Sequence, residues 1–248
     1  MTQPFSDRLR RVISRMILPQ QCLFCGLASE QGYPICNQCL EERLLAPSSR
    51  LTFFADNADR CVKCGRPLIS AAELCTTCRE KGVFTYIDRV LPLFPYVAES
   101  QSLLALWKSR GMRGLSWPLA RCLASVLASI LASSGPVTLV PVPPRPNKIR
   151  SRGWDQVEEL ARLLDRHFGM SVSRCLMRRS SMEQKKLGKA ARSLNIKGSI
   201  AVKDGVAVPE VAIVLDDLMT TGATLDACAE ALKLAGCGKV YGLTLYFD

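Results

Sequence analysis

The sequence predicts an α/β protein, a mostly parallel, doubly wound sheet preceded by a small cysteine-rich module. Three observations carry this. Eight of the twelve cysteines fall between Cys22 and Cys78, and the other four are scattered. From about residue 83 onward, short apolar β-rich runs alternate with helical patterns, the order of parallel strands joined by crossover helices. The last third also holds "VAIVLDDLMTTGATLDACAEAL", an aliphatic run that ends in carboxylates and hydroxyls where a plain turn would serve.

At 248 residues and 48% hydrophobic, the chain can bury a core and a further module, since a domain takes roughly 100–200 residues. The predicted division is an N-terminal amphipathic helix over 1–20, a paired cysteine module over 21–82 and the α/β domain over 83–248. Leu9, Val12, Ile13, Met16 and Ile17 recur at helical spacing. No uninterrupted apolar region or small-residue cleavage site accompanies them, so this is no secretory signal, and packing on the protein's own core is favoured over surface docking. "WPLARCLASVLASILASSG" contains Arg121 and falls short of the roughly 20 apolar residues that cross a bilayer. The expectation is a cytoplasmic protein without a transmembrane segment. A formal net charge of +11 points to anionic partners, whether phosphorylated metabolites, nucleic acid or a membrane surface, without choosing among them.

"CLFCGLASEQGYPICNQCLEE" and "CVKCGRPLISAAELCTTCREK" are one pattern written twice, each cysteine lying 39 positions after its counterpart. A fixed period of this kind marks a duplicated unit. In each copy a CxxCG knuckle lets Gly26 or Gly65 take a left-handed turn, and a second CxxC closes a tetrahedron of thiolates. Four sulfurs at that spacing favour structural Zn2+ over a disulfide framework in a reducing compartment, or over an iron–sulfur cluster. Sequential pairing is favoured: Cys22, Cys25, Cys36 and Cys39 about one ion, and Cys61, Cys64, Cys75 and Cys78 about another, with a cross-braced arrangement as the alternative. Such closed sites hold up a segment too small for its own core and do no chemistry. Cys122, Cys175, Cys228 and Cys237 read as small buried hydrophobes.

In the α/β region "YIDRVLPLFPYV", "PVTLVPV", "VAIVLDD" and "KVYGLTLYF" read as strands. "ESQSLLALWKSRG", "SWPLARCLASVLASILAS", "WDQVEELARLLDRHF" and "GATLDACAEALKLAG" read as helices. Ligands of such sheets bind beyond the carboxyl ends of the strands. Asp216 and Asp217 are predicted there, facing the N-terminus of a helix that starts near Ala223. Met219, Thr220, Thr221, Gly222, Ala223 and Thr224 would cradle a monophosphate through hydroxyls and backbone N–H groups. The carboxylates would repel a phosphate, so they are assigned to the hydroxyls of an attached ribose, with Mg2+ nearby. A Walker A reading fails, because Gly238-Lys239 has Lys233 where a glycine is needed and no Ser or Thr after the lysine.

"VLDDLMTTGAT" closely resembles the motif of type I phosphoribosyltransferases. With "YVAESQSLLALWKSRG", "LVPVPPRPNKIRSRGWDQVEELA" and "EQKKLGKAARSLNIKGSIAV", the whole chain resembles the ComF family, competence-associated proteins that join a double zinc ribbon to a phosphoribosyltransferase-like domain. The resemblance implies binding of phosphoribosyl pyrophosphate and a role in handling imported single-stranded DNA during natural transformation. It makes "PVPPRPNKIRSRG" the pyrophosphate loop, with Arg145, Lys148, Arg150 and Arg152 as its cations and Lys148 and Arg152 favoured as catalytic beside Asp216 and Asp217. Lys108 is a further basic candidate. "RRSSMEQKKLGKAARSLNIKG" suits a lid over bound phosphates, where Gln184, Arg192 and Asn195 match recurrent family positions. Where members usually read RGFNQ, this chain has Arg152-Gly153-Trp154-Asp155-Gln156, which places an extra negative charge near that loop. His167, the sole histidine, reads as structural. Three readings stay open: a transferase of unknown acceptor, a non-catalytic phosphoribosyl sensor that docks a helicase of the uptake machinery, and a DNA-binding adaptor.

Overall fold

The computed structural model describes residues 21–29, 33–48, 59–69, 72–82, 84–145, 149, 153–179 and 199–248. The expected N-terminal helix over 1–20 lies outside the described residues. Ile, Val and Leu run through each strand of the main sheet because both of its faces are covered. Strands β1 (Arg89–Pro95), β2 (Thr138–Pro141), β5 (Val211–Met219) and β6 (Lys239–Phe247) form it in the order β1-β6-β5-β2, with every neighbouring pair parallel.

Period-2 alternation deals the strand side chains to two cores. Leu91, Leu93, Leu139, Ile213, Leu215, Leu243 and Leu245 belong to one, together with buried side chains of α4 (Ala98–Lys108), α5 (Ser116–Ser134) and α6 (Gln156–Phe168). Val90, Val140, Ala212, Val214 and Val240 belong to the other, with α7 (Ala223–Leu234). This is the doubly wound arrangement expected of the sequence. The scattered Cys122, Cys175, Cys228 and Cys237 are all buried.

Two expectations are corrected. The segment from Arg113 to Ala132 is, by length and composition, long and apolar enough to cross a membrane, where the sequence reading fell short of that length; 61% of its most apolar stretch is buried within the protein. Leu119, Leu123, Val126, Leu127 and Ile130 face the first core, which is an ordinary reason for a helix to be this apolar. The expected lid is not a loop from its first residue. Arg178 ends β3 (Leu176–Arg178), which pairs antiparallel with β4 (Ile200–Val202), so 180–198, outside the described residues, connects the two arms of a short ribbon.

The duplicated cysteine units repeat their hydrogen bonds as well as their spacing. Gly26 N–H donates to the Cys22 carbonyl and Gly65 N–H to Cys61, both at 2.8 Å. Cys22 N–H reaches Leu27 and Cys61 N–H reaches Arg66, at 2.7 and 2.9 Å; Leu23 reaches Pro34 and Val62 reaches Glu73, both at 2.9 Å. Gly26 and Gly65 have φ of +73° and +68°, the left-handed geometry that a side chain resists. Despite this likeness the units sit on opposite sides of the sheet. Cys22 and Cys39, with Leu40 of α1 (Asn37–Leu40) and Leu44 of the π-helical turn after it, join the first core. Cys61 and Cys64 join the second; after the short α2 (Ala46–Ser48) of the first unit, the other two cysteines of the second, Cys75 and Cys78, cap and lie within α3 (Thr76–Lys81).

Candidate phosphate and carboxylate site

Because β2 and β5 are neighbours and parallel, the segments leaving their carboxyl ends meet. Between them lies a polar cavity of about 220 Å³. Lys108 closes one side, Pro143 and Arg145 come from the segment after β2, Arg178 from β3, and Asp216, Thr220 and Thr224 from β5 and the turn into α7. The strand runs through both aspartates to Met219 instead of stopping at them, and alternation sends the two carboxylates to different surroundings.

Asp217 is 7% exposed and lies at the cavity wall. Its Oδ2 accepts from Lys108 Nζ at 2.8 Å and from Gln156 Nε2 at 3.2 Å. The basic candidate at the end of α4 is thus the counter-ion of one of the two acids. Asp216 is half-buried and lines the cavity. Burial, then the charge of Asp217, pushes its carboxyl up to about 7, against a 2.8 Å hydrogen bond from Asp217 N–H and the nearby Lys108, which pull it down.

Gly222 caps α7 at φ +78° and offers no side-chain cap. A Cβ at this position would stand 2.3 Å from the Phe84 ring, so glycine is required both for the turn and for the contact. Thr221 Oγ1 accepts the Ala223 N–H at 3.3 Å, and Thr220 and Thr221 are exposed. Met219, by contrast, is buried at 2% exposure and supports the turn from below. A hydroxyl-bearing turn at the start of a twelve-residue helix suits an anion by charge and by donors.

Arg145 and Arg178 supply the positive charge of the cavity; Arg178 Nε also donates to the Pro143 carbonyl at 2.9 Å, bracing the start of the loop after β2. Sequence reasoning missed Arg178 and Gln156. The first was hidden in a segment read as lid, and the second stands next to a residue read only as a family departure. Asp155, that departure, caps α6 by accepting Val157 and Glu158 N–H groups at 3.0 and 3.1 Å. Lys148, Arg150, Arg152, Gln184, Arg192 and Asn195 lie outside the described residues. His167 is exposed near the end of α6 and meets the Trp117 ring edge-on at 5.1 Å.

The cysteines group sequentially, Cys22, Cys25, Cys36 and Cys39 in one cluster and Cys61, Cys64, Cys75 and Cys78 in the other, with all sulfurs of a cluster within 4.8 Å of one another. Tetrahedral Zn–S bonds of ~2.3 Å separate sulfurs by about 3.8 Å; Cys25 and Cys36 stand 3.8 Å apart, and Cys64 and Cys75 3.6 Å. Both clusters can therefore hold zinc. Burial acts to raise the Cys22 thiol, but backbone N–H groups of Cys36, Cys25 and Phe24 outweigh it and bring it down to about 6. Cys61, at the same place in the second unit, is brought to about 7 by Cys64, Cys75 and Lys63 in the same way. Burial pushes Cys39, Cys64 and Cys78 up, so a cation is what allows the full set to ionise.

No family model matches the chain. It is 23% identical over 231 residues to the protein called Competence protein ComFC of Streptococcus pneumoniae (strain ATCC BAA-255 / R6), covering 91% of this chain and 99% of that one. The resemblance to the ComF family indicated by the motifs thus extends over nine-tenths of the chain, and its two four-cysteine clusters fit a double zinc ribbon beside the α/β domain.

Proposed function

We propose that this protein acts in natural competence as a cytoplasmic phosphoribosyltransferase-like protein that binds 5-phosphoribosyl 1-pyrophosphate. The observation that carries this is the cavity between β2 and β5, where a phosphate-type turn, a ribose-competent carboxylate and two guanidinium groups face one another. The 5-phosphate would occupy the turn 219–224. Asp216 would accept from the ribose hydroxyls, and Asp217 would serve indirectly by fixing Lys108 and Gln156 on the cavity wall. Arg145 and Arg178, with Lys148 and Arg152, would receive the pyrophosphate, and Gln184 and Arg192 would close over it.

The Asp216 carboxyl, which lines the cavity and, unlike Asp217, has no lysine bonded to it among the described residues, is the oxygen donor that would help hold a divalent cation. Mg2+ bound there through the sugar hydroxyls would supply neutralisation of the departing pyrophosphate. The residues themselves position the ribose and stabilise charge, which is what an oxocarbenium-like departure needs.

Calorimetric titration with phosphoribosyl pyrophosphate and Mg2+ tests the reading. Binding is expected to be saturable and to weaken by at least about tenfold in Asp216→Ala, the effect of losing one charged hydrogen bond. An absence of binding heat by the wild-type chain would sink it. Release of pyrophosphate with nucleobases or single-stranded DNA as acceptors separates a transferase from a sensor.

Asp155 provides a further prediction. Its charge adds to the push on Asp216, while its cap needs only an oxygen. Asp155→Asn is expected to keep the melting temperature and to tighten phosphoribosyl pyrophosphate binding about threefold by removing one like charge near the ligand. Weaker binding in this variant would show that the carboxylate contacts the ligand productively.

A further inference from the structure

The second cysteine unit is joined to the phosphate turn at several points. Arg66 Nη2 donates to the Thr220 carbonyl. Gly65 lies so close to β1 that a Cβ would stand 2.4 Å from the Val90 carbonyl oxygen, and Val90 N–H donates to Lys63 at 2.8 Å. Beyond the unit, Phe84 rests on Gly222, and Asp226 of α7 accepts the N–H groups of Thr85, Tyr86 and Ile87 at 3.0, 2.8 and 3.1 Å. A cavity of about 310 Å³ between unit and turn is walled by Arg66, Thr77 and Phe84 on one side and Met219, Thr220 and Thr221 on the other.

The repeat shows which of these features is special. At the 39-residue offset, Arg66 corresponds to Leu27, which is 66% exposed, and Gly65 to Gly26, where an added Cβ would meet nothing within 4 Å. The two knuckles are built alike, yet the second bears a side chain able to donate to the turn. In a trans peptide the carbonyl of one residue and the N–H of the next point in opposite directions. A guanidinium that holds the Thr220 carbonyl outward therefore aims the Thr221 N–H away from itself, and it neutralises the negative end of a carbonyl at the mouth of an anion site.

We propose that Arg66 is a positioning residue of the phosphate turn, which makes the second cysteine unit part of the ligand site while the first is scaffold. This rests on the reading of 219–224 as a phosphate site. Arg66→Leu tests it in the full chain, because leucine already occupies the equivalent place in the first knuckle. Zinc content, melting temperature and calorimetric affinity for ribose 5-phosphate would be measured together. The expected result is two zinc ions per chain and an unchanged melting temperature, with affinity reduced about tenfold and partly restored in Arg66→Lys. Wild-type affinity in Arg66→Leu overturns the proposal, and so does a fall in affinity accompanied by loss of zinc or of melting temperature, which would mark Arg66 as merely structural. If the wild-type chain itself ignores ribose 5-phosphate, the reading of the turn fails first and this inference goes with it.

Discussion

Chelating the metal is expected to unfold the protein from both faces of its sheet. Structural zinc in a four-thiolate site contributes on the order of 10 kcal/mol to folding, as much as the whole stability of a typical domain, about 5–15 kcal/mol. Each cluster is also continuous with a different core. Cys22, Cys39, Leu40 and Leu44 pack with Leu119 and Leu123 of α5, and Cys61 and Cys64 pack with Val90 of β1. Loss of the ions thus frees buried apolar surface on the sheet as well as the knuckles. Stripping zinc with a strong chelator should abolish the cooperative melting transition, and restoring zinc should recover it. Acid should act in the same direction, because protons compete for the sulfurs. A melting curve that stays in place after metal analysis shows the zinc gone would refute this.

The adjacent carboxylates should respond to substitution with opposite signs. Asp217→Ala is expected to cost about 3 kcal/mol, because it leaves the half-buried Lys108 ammonium without its partner and Gln156 without an acceptor. Asp216→Asn should instead stabilise the unliganded protein above neutrality. The sign follows from linkage. The folded-state carboxyl titrates at about 7, above its ordinary 3.8, so the folded form binds the proton more tightly than the unfolded chain does. The associated stability is full below pH 4 and drains away as pH rises through 7. Asp216 retains some contact with water, and even a third of that shift is worth about 1.5 kcal/mol at pH 8. Urea melts of both variants at pH 5 and pH 8 in chelator-free buffer would measure this. Equal effects for the two substitutions, or an Asp216→Asn gain that is independent of pH, would contradict the assignment.

Stability lost at pH 8 in those melts would be the cost of keeping a carboxylate in this cavity, as the proposed ligand site requires. That tension could not be read from the sequence. Adjacent aspartates in "VAIVLDD" announce unusual chemistry at a strand end, but whether a neighbouring lysine claims one of them depends on where α4 terminates in space. The parts that could be read were those written in local periodicity. The four strands of the main sheet, the helices between them, the 39-residue repeat and the threonine-glycine turn before α7 all follow from spacing and residue type. What escaped was decided by long-range contact. β3 and β4 are three residues each, too short for an alternating pattern to stand out. The apolar helical segment is longer than its sequence pattern suggests because a single turn over Arg113–Leu115 runs straight into α5. Nothing in the cysteine-glycine pattern that the two knuckles share says that they will settle on opposite faces.

The strand order bears on how the chain can be made. β1 is the first strand of the sheet to leave a ribosome and β6 the last, yet they pair along their length, from Arg89 opposite Tyr241 to Pro95 opposite Phe247. β6 also separates β1 from β5, so the middle of the sheet is the last part to be synthesised. Both cysteine units precede every strand in the chain, but the sheet faces that bury them are not complete until β6 has been made. The nascent chain therefore carries both knuckles with their apolar surfaces uncovered from before β1 is made until β6 closes the sheet.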